Sequence, residues 1–313
     1  MAEIIGPIDL PPTTPAEQPD YDVQLESLNQ WQIAWRRFKR HRMALIGSTM
    51  FLGMVAIGII APLFFQFDSY KIPTPDVHVV AGRPPSINHL FGETGRLQWD
   101  VLTLVVNGIR TSLLIGVIAS AIGAIIGTIV GGVSGYFGGW TDTILMRIVD
   151  ALLALPLLFV ILVFTKFLGS GSWVSVTIIF GLFGWLGIAR LVRAVILSLR
   201  EADYVDAARA AGVSDRRIIF RHLIPNALSP IIVATTLGVA GVIIGEAFIS
   251  FLGFGVDFST PTLGNILNGS LGFISQGNWW WAFFPGASIV VIVLGINFMG
   301  DGLRDALDPR TKI

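Results

Sequence analysis

Long apolar stretches that carry almost no charged residue constrain this sequence more than any other feature. A helix that crosses about 30 Å of hydrocarbon needs roughly 20 mostly apolar residues. Stretches of about this length occupy residues 44–65, 111–136, 145–168, 173–189, 229–251 and 282–299. Their apolar residues are continuous rather than alternating, which favours helices over the strands of a membrane barrel. We therefore predict an all-α polytopic membrane protein with six transmembrane helices.

The composition supports a membrane protein and argues against several classes of soluble protein. Charged residues make up 13% of the chain and hydrophobic residues 53%, whereas a soluble domain has about 25% charged residues. Lys and Arg together number 21, as do Asp and Glu, so no basic field points to nucleic acid. With no cysteine, the chain can form neither a disulfide framework nor a metal–thiolate site.

The distribution of basic residues predicts the orientation, because the cytoplasmic loops of membrane proteins carry an excess of Lys and Arg. With the N-terminus inside, sixteen of the 21 basic residues fall on internal segments. The five on external segments are Lys71, Arg83, Arg96, Arg110 and Lys166. Both termini are therefore predicted to be cytoplasmic.

The N-terminal segments differ from the apolar remainder. Five prolines in the first 20 residues predict a disordered cytoplasmic tail over residues 1–27. Residues 28–42 have a helical pattern with basic residues around one apolar face, which is typical of an amphipathic interfacial helix on anionic membrane lipids. A plain basic anchor for the first span is the equal alternative. The apolar face comprises Leu28, Trp31, Trp35 and Phe38.

The remaining segments follow from the apolar stretches and the charges between them. Residues 259–281 lack charge, but their Gly, Ser, Asn and Thr content favours a loop over a span. The predicted segments are a first transmembrane helix at 43–67, an external loop at 68–110, a core domain of five transmembrane helices at 111–303 with a cytoplasmic loop at 200–225, and a cytoplasmic tail at 304–313.

The sequence contains no recognisable catalytic or cofactor-binding motif. No Gly-Lys dipeptide occurs, so a phosphate-binding P-loop is absent and the chain should not hydrolyse ATP itself. The four histidines lack the helical spacing of a metal site. We predict a non-catalytic membrane subunit that binds neither a metal nor a cofactor.

The second span has a stripe of glycines, one at every fourth position. Small residues in line let another helix approach closely, which is how apolar helices associate in lipid. We interpret the stripe as a packing face, with a mobile hinge as the alternative. Its members are Gly123, Gly127, Gly131 and Gly135.

Glu246 is the one carboxylate deep in a charge-poor span. A charge inside the bilayer costs at least about 2.5–3.5 kcal/mol, so such residues are functional candidates by default. Its position close to the external end of the span favours a structural role. We expect it to bond to a neighbouring helix or to the turn at residues 253–255.

The segment between the fourth and fifth spans, residues 201–226, is the most informative. Asp203 is placed to cap a helix there, and Gly212 to end it in a left-handed conformation. Ser214 would then cap a second short helix and Pro225 would stop it. The low bulk of the first helix would suit a groove of another protein, but the pattern alone favours packing beneath the chain's own bundle. Its predicted small-residue face comprises Tyr204, Ala207, Ala208 and Ala211.

This segment resembles the EAA loop of binding-protein-dependent ABC importer permeases. The family pattern is Glu-Ala-Ala, three residues, Gly, nine residues and Ile-x-Leu-Pro. Here residues 206–208 read Asp-Ala-Ala, Gly212 follows, and residues 222–225 read His-Leu-Ile-Pro. Asp keeps the negative charge of the family's Glu, and we interpret His222 as structural. The resemblance implies that contact with an ATPase is made by Tyr204, Asp206, Ala207, Ala208, Ala211, Gly212 and Pro225.

Other stretches resemble the C-type subunit of the oligopeptide and dipeptide permeases, so that the resemblance covers about residues 28–310. This sequence differs from that family at the external Gly-Arg-Asp signature, whose parts occur in scrambled order at residues 91–96 and 100–101. The matching stretches include Trp35-Arg36-Arg37-Phe38, Gly135-Tyr136-Phe137-Gly138-Gly139-Trp140, Ser250-Phe251-Leu252-Gly253 and the tail from Gly300 to Arg310.

The resemblance implies the type I ABC importer permease fold and a subunit of an ATP-driven peptide importer in the inner membrane of a prokaryote. The implied partners are a homologous B-type permease, two cytoplasmic ATPase subunits that bind ATP and Mg, and an extracytoplasmic peptide-binding protein. The substrate is left open among dipeptides, longer peptides, nickel chelates and sugars. The alternatives are a secondary transporter with Glu246 as its coupling site and a structural membrane subunit without a transport role.

Overall fold

Every regular element is a helix in the part of the chain that a computed structural model describes, which is residues 30–67, 82–95, 98–167 and 171–308. The predicted tail at residues 1–27 lies outside this part. In chain order the elements are α1 (Gln30–Arg40), α2 (Arg42–Phe64), α3 (Val101–Phe137), α4 (Gly139–Leu153), α5 (Leu157–Phe167), α6 (Trp173–Leu199), α7 (Asp203–Ala210), α8 (Asp215–Arg217), a π-helical turn (Ile218–Leu223), α9 (Ile224–Asn226), α10 (Leu228–Phe251), α11 (Leu263–Ser270), a 3₁₀ turn (Ile274–Gln276) and α12 (Trp279–Leu307).

Five helices among the described residues are long and apolar enough to cross a membrane, judged by length and composition alone. They are α2, α3, α6, α10 and α12, which correspond to five of the six predicted spans. The ends of α2 and α10 lie within three residues of the predicted ends, a difference typical of helix termini.

The third apolar stretch, residues 145–168, is divided between two helices. α4 ends at Leu153, α5 begins at Leu157, and Pro156 lies between them. Proline has no N–H to donate and restricts the residue before it, so an α-helix breaks at such a position. A sixth crossing therefore requires α4 and α5 to span the membrane as a broken pair.

α3 begins ten residues before the predicted second span, so residues 101–110 are helical rather than part of a loop. Asp100 caps the helix, because its carboxylate accepts a hydrogen bond from the backbone N–H of Thr103 at 2.8 Å. Asn107 interrupts the apolar pattern, but its side-chain amide donates to the carbonyl oxygen of Thr103 within the helix and to that of Phe65 after α2, both at 2.8 Å. The 37 residues of α3 give a length of about 55 Å.

Three further boundaries differ from the sequence-based predictions. α6 continues beyond residue 189 to Leu199, and its Arg190 and Arg193 pair with acidic residues of α4. α12 continues to Leu307, so the described beginning of the predicted tail is helical. Residues 259–281 are not a loop throughout, since they contain α11, which begins with a reciprocal capping box between Thr262 and Asn265.

The glycine stripe packs against α6 of the same chain. A Cβ atom at Gly131 would lie 2.4 Å from a backbone carbonyl oxygen of α6, and one at Gly127 would lie 2.8 Å from another. A Cβ atom would lie 3.1 Å from the backbone of α6 at Gly123 and 2.9 Å from it at Gly135. The distances at Gly127, Gly131 and Gly135 are too short for a Cβ atom and that at Gly123 is tight, so glycine allows the two helices to approach closely. The stripe is therefore covered within the chain and offers no packing face to another subunit.

α1 lies against the C-terminal end of α12. Phe38 is buried and packs with Ala44 and Ala306, whereas Trp35 stays 57% exposed and stacks on Phe38. The side chains of the other two residues of the predicted apolar face lie outside the described part of the chain. Phe38 of α1 thus packs against the chain's own bundle, whereas the side chain of Trp35 stays largely exposed on its surface.

Candidate functional site

The segment between α6 and α10 presents a short helix, α7, on the outside of the bundle. Val205 is fully buried in a cluster with Ile218 and Leu223, which fixes one side of α7 to the chain's own core. Ala207 and Ala210 lie on the opposite side and are exposed. α7 therefore docks on its own chain along one side and leaves a surface of small side chains along the other.

Three of the four residues of the predicted small-residue face are exposed. Tyr204 is 40% exposed, and Ala207 and Ala211 are exposed as well. Ala208 differs, because it is partly buried against the cluster that contains Val205. The helix rotation that buries Val205 also turns Ala208 partly inward, so Ala208 contributes less to the exposed surface than the other three residues. We call the exposed set of Tyr204, Ala207, Ala210 and Ala211 the α7 outer face.

Gly212 ends α7 with a left-handed backbone, at φ +73°. The N–H of Val213 donates to the carbonyl oxygen of Ala208 at 3.1 Å, and the N–H of Gly212 donates to that of Arg209 at 2.9 Å. This pair of bonds is the Schellman motif, which satisfies the last carbonyl groups of a helix and favours glycine at the left-handed position. The motif sets the direction in which the chain leaves α7 for α8.

Substitution at Gly212 should therefore act through the backbone alone, because a Cβ atom there would meet nothing within 4 Å. We expect Gly212→Val to destabilise the turn by about 1–3 kcal/mol, and Gly212→Asn to cost much less because Asn tolerates the left-handed region. Thermal unfolding of the purified full-length chain measures both variants. Equal melting temperatures for the Val and Asn variants would contradict the assignment.

Two capping predictions in this segment differ from the structure. The N-cap of α7 is Ala202, and Asp203 is its first helical residue, where a negative charge still interacts favourably with the helix N-terminus. Ser214 is the N-cap of α8 by position, but its side chain makes no capping hydrogen bond. Asp203 and Asp215, in the first turns of α7 and α8, thus act through their negative charge at the helix N-termini rather than as side-chain caps.

Pro225 does not stop the second helix, contrary to the prediction. It lies within α9, and the helical backbone continues almost directly into α10. In the preceding π-helical turn the N–H of Ile224 bonds to the carbonyl oxygen of Ile219, five residues back. A proline in the first turn of a new α-helical segment needs no partner for an N–H, so it is tolerated there.

Tyr136, near the end of α3, contacts both parts of this segment. Its hydroxyl donates to the carboxylate of Asp215 in α8 at 2.6 Å. The guanidinium carbon of Arg209 in α7 lies 5.3 Å from the centre of its ring, and Arg209 also donates to Asp206 at 3.1 Å. Contact with Tyr136, and to a smaller extent with Asp206, raises the pKa of Arg209 above its ordinary value. No role for Tyr136 was predicted from the sequence.

A set of polar contacts fixes α3, α4 and α6 to one another beside Tyr136. The Arg193 guanidinium donates to both carboxylate oxygens of Asp142, at 2.6 Å for the Nη2 donor. Arg200, at the end of α6, donates to the carbonyl oxygen of Gly135 at 3.2 Å. We call these four residues the three-helix corner. The Gly138-Gly139 pair between α3 and α4 is the sequence signal that could have predicted a tight turn here.

Glu246 is fully buried at the centre of a second network. Its carboxylate accepts hydrogen bonds from the hydroxyl groups of Ser112 at 3.1 Å and Ser250 at 2.7 Å. Each hydroxyl oxygen accepts in turn from a backbone N–H at 3.2 Å, that of Leu263 for Ser112 and that of Val256 for Ser250. The network joins α3, α10 and the segment that leads into α11.

The described residues of the scrambled signature, 91–95 and 100–101, form the capping structure at the start of α3. Glu93 and Asp100 pair across a short antiparallel bridge. The imidazole of His89 lies between their carboxylates, with its Nε2 atom 2.9 Å from Glu93 and its Nδ1 atom 3.1 Å from Asp100. The opposite end of α3 is thus also held by polar contacts.

A cavity of about 480 Å³ lies beside this capping structure. Its lining is mostly apolar and aromatic, with Trp99, Phe273 and Trp281 among its residues.

Within the described ranges, no group of three His, Asp or Glu side chains is arranged to hold a metal ion.

Comparison with known proteins places the chain in a family. The family described as binding-protein-dependent transport system inner membrane component matches residues 123–313, and the N-terminal transmembrane domain of oligopeptide transport permease C matches residues 29–80. The first match includes α7 with its outer face and Glu246. The second includes α1 and α2.

Curated relatives match almost the entire chain. The dipeptide transport system permease protein DppC of Alkalihalophilus pseudofirmus is 37% identical over 304 residues, which cover 96% of each chain. DppC of Bacillus subtilis is 37% identical over 93% of this chain and 89% of its own length. The oligopeptide transport system permease protein OppC of Bacillus subtilis is 36% identical over 93% of each chain. This chain therefore belongs to the binding-protein-dependent transport system inner membrane components and is a permease related to the DppC and OppC subunits.

Proposed function

We propose that this chain is a permease subunit of an ATP-driven peptide importer and that the α7 outer face docks in a groove of an ATPase subunit. The observation that carries the proposal is the outer face itself. Its alanines keep the helix backbone close to the surface, so a groove of another protein can enclose α7 tightly. Val205 meanwhile holds the other side of α7 to the bundle, so movement of α7 moves the bundle with it.

The charges around the outer face support recognition by a protein partner. Asp203 and Asp206 are exposed beside it, and Arg216 and Arg217 are exposed just beyond the Gly212 turn. Charges at the edge of a small apolar contact steer association and fix its register rather than supply most of the affinity. The contact is therefore proposed to have an apolar centre of alanines with a charged rim.

The relatives' names support peptide transport, and the resemblance to ABC importer permeases implies the other subunits. A homologous B-type permease would form the other half of the translocation pathway, and two cytoplasmic ATPase subunits would bind ATP and Mg below α7. A peptide-binding protein would deliver the substrate from outside. Closure of the ATPase subunits would move α7, and the helix bundles would rock as rigid bodies around a central pathway.

Co-purification with the products of neighbouring genes tests this assignment. Affinity-tagged chain expressed with those genes should recover two ATPase subunits and a second permease, and the complex in lipid vesicles should take up labelled peptide when ATP is supplied. The same chain purified alone should show no ATP turnover. Specific ATP hydrolysis by the isolated chain would contradict the proposal.

We propose six crossings with both termini in the cytoplasm, α4 and α5 forming one broken crossing. Because the chain has no native cysteine, single cysteines can report the side of the membrane. Ser86→Cys and Ser275→Cys should react with a membrane-impermeant thiol reagent applied to intact cells, and Ser214→Cys should react only after the membrane is opened. All three serines are exposed in the fold. Labelling of the Ser214 variant in intact cells would reverse the orientation.

A further inference from the structure

Tyr136 is the side chain through which α3 reaches both sides of the Gly212 turn. It is 7% exposed, its hydroxyl donates to Asp215 of α8, and its ring lies beneath Arg209 of α7. Docking on the α7 outer face would displace α7 and α8 together. Tyr136 is then placed to pass that displacement to α3.

Tyr136 projects from a rigid support. The three-helix corner beside it holds α3 to α4 and α6 through charged groups. Charge-assisted and bidentate hydrogen bonds of this kind are directional and stronger than bonds between neutral groups. A force on the Tyr136 side chain therefore acts on three helices at once.

α3 is suited to carry the displacement over a long distance. It is an unbroken helix of 37 residues that contains no proline, and its length of about 55 Å exceeds the hydrocarbon thickness of a bilayer. Its far end is capped by Asp100, which also contacts His89. The two ends of the same helix thus have polar contacts, Tyr136 with the α7 segment and Asp100 with the loop before α3.

We propose that Tyr136 is a positioning residue that transmits movement of α7 and α8 into α3. This inference rests on the proposed function, because docking on the α7 outer face is the source of the movement. The hydrogen bond to Asp215 fixes the angle between α8 and α3, and the contact with Arg209 fixes the position of α7. Loss of the hydrogen bond between Tyr136 and Asp215 should leave ATPase docking intact but lower coupled transport.

The test compares Tyr136→Phe, Asp215→Asn and the double variant in the complete importer reconstituted in lipid vesicles. The Phe variant keeps the ring and its packing and removes only the hydroxyl. A hydrogen bond to a charged group is worth a factor of about ten in an equilibrium. We therefore expect about tenfold lower peptide uptake and lower stimulation of ATP hydrolysis by the binding protein, with the recovery of ATPase subunits and the unstimulated hydrolysis unchanged.

Thr49→Val is the matched control. It also removes a hydroxyl group, but an exposed one that donates to the carbonyl oxygen of Leu45 within α2, and its uptake should equal that of the unaltered importer. Because Tyr136 and Asp215 form one bond, the double variant should be no more impaired than either single variant. Asp215 is exposed, so its substitution should not disturb folding. Asp215→Asn therefore tests the same hydrogen bond if Tyr136→Phe folds poorly.

Unchanged uptake and stimulation in Tyr136→Phe and Asp215→Asn would overturn the inference. Single effects that multiply in the double variant would also overturn it, because they would show that the two groups act independently. A failure of ATPase subunits to co-purify with the unaltered chain would instead contradict the proposed function. The two failures are therefore distinguishable in the same preparations.

Discussion

Ala207→Trp should abolish ATP-dependent peptide uptake while the chain still inserts and folds. Ala207 is exposed at the centre of the α7 outer face, opposite the buried Val205. An indole there would hold an enclosing groove away from the helix backbone, and nothing in the chain's own core would have to move. We expect recovery of the ATPase subunits with the tagged chain to be lost together with uptake.

Two matched variants separate loss of docking from loss of folding. Ala207→Ser changes the chemistry at the same position but little of the volume, so it should retain most uptake. Ala208→Trp should destabilise the chain itself, because Ala208 is partly buried against the Val205 cluster and overpacking a core costs about 1–3 kcal/mol. Full uptake and normal ATPase recovery with Ala207→Trp would exclude docking on the α7 outer face.

Glu246→Ala should destabilise the chain and strongly reduce uptake. The substitution leaves a cavity and removes the acceptor for the hydroxyl groups of Ser112 and Ser250. A large-to-small change in a core costs roughly 2–5 kcal/mol, and an unpaired buried hydroxyl adds to this. Thermal unfolding of the purified importer measures the loss of stability. Segments around α10 and α11 should lose protection from hydrogen exchange, because the network no longer joins them to α3.

Glu246→Gln distinguishes a structural carboxylate from a proton-coupling site. The amide keeps an acceptor oxygen and loses the charge, so a structural role predicts that most uptake remains and that its dependence on pH is unchanged. Ser112→Ala should be milder than Glu246→Ala, since it removes one of the two hydroxyl partners. Abolished uptake together with a lost pH dependence in the Gln variant would favour a secondary transporter.

Local sequence patterns determined the helical class of the protein and the position of its most informative segment. Apolar stretches located α2, α10 and most of α3, α6 and α12. The length of such a stretch and the spacing of its apolar residues are local features, so they can be recognised without knowing the tertiary structure. Gly212 could be placed at a left-handed helix end for the same reason, since that conformation is a property of one residue. The predicted start of α3 was too late because Arg110 and Asn107 interrupt the apolar stretch, although the amide of Asn107 has partners in Thr103 and Phe65.

Only the tertiary structure decided which sides of these helices meet. The rotation of α7 turned Ala208 inward and left Ala210 outward, and the glycine stripe found its partner in α6 of the same chain. Tyr136 reaches Asp215, which lies 79 residues away, and Ser112 reaches Glu246, which lies 134 residues away. Helical periodicity specifies which residues share a face but not which distant face will cover it, because that depends on how side chains of the whole bundle fill space together.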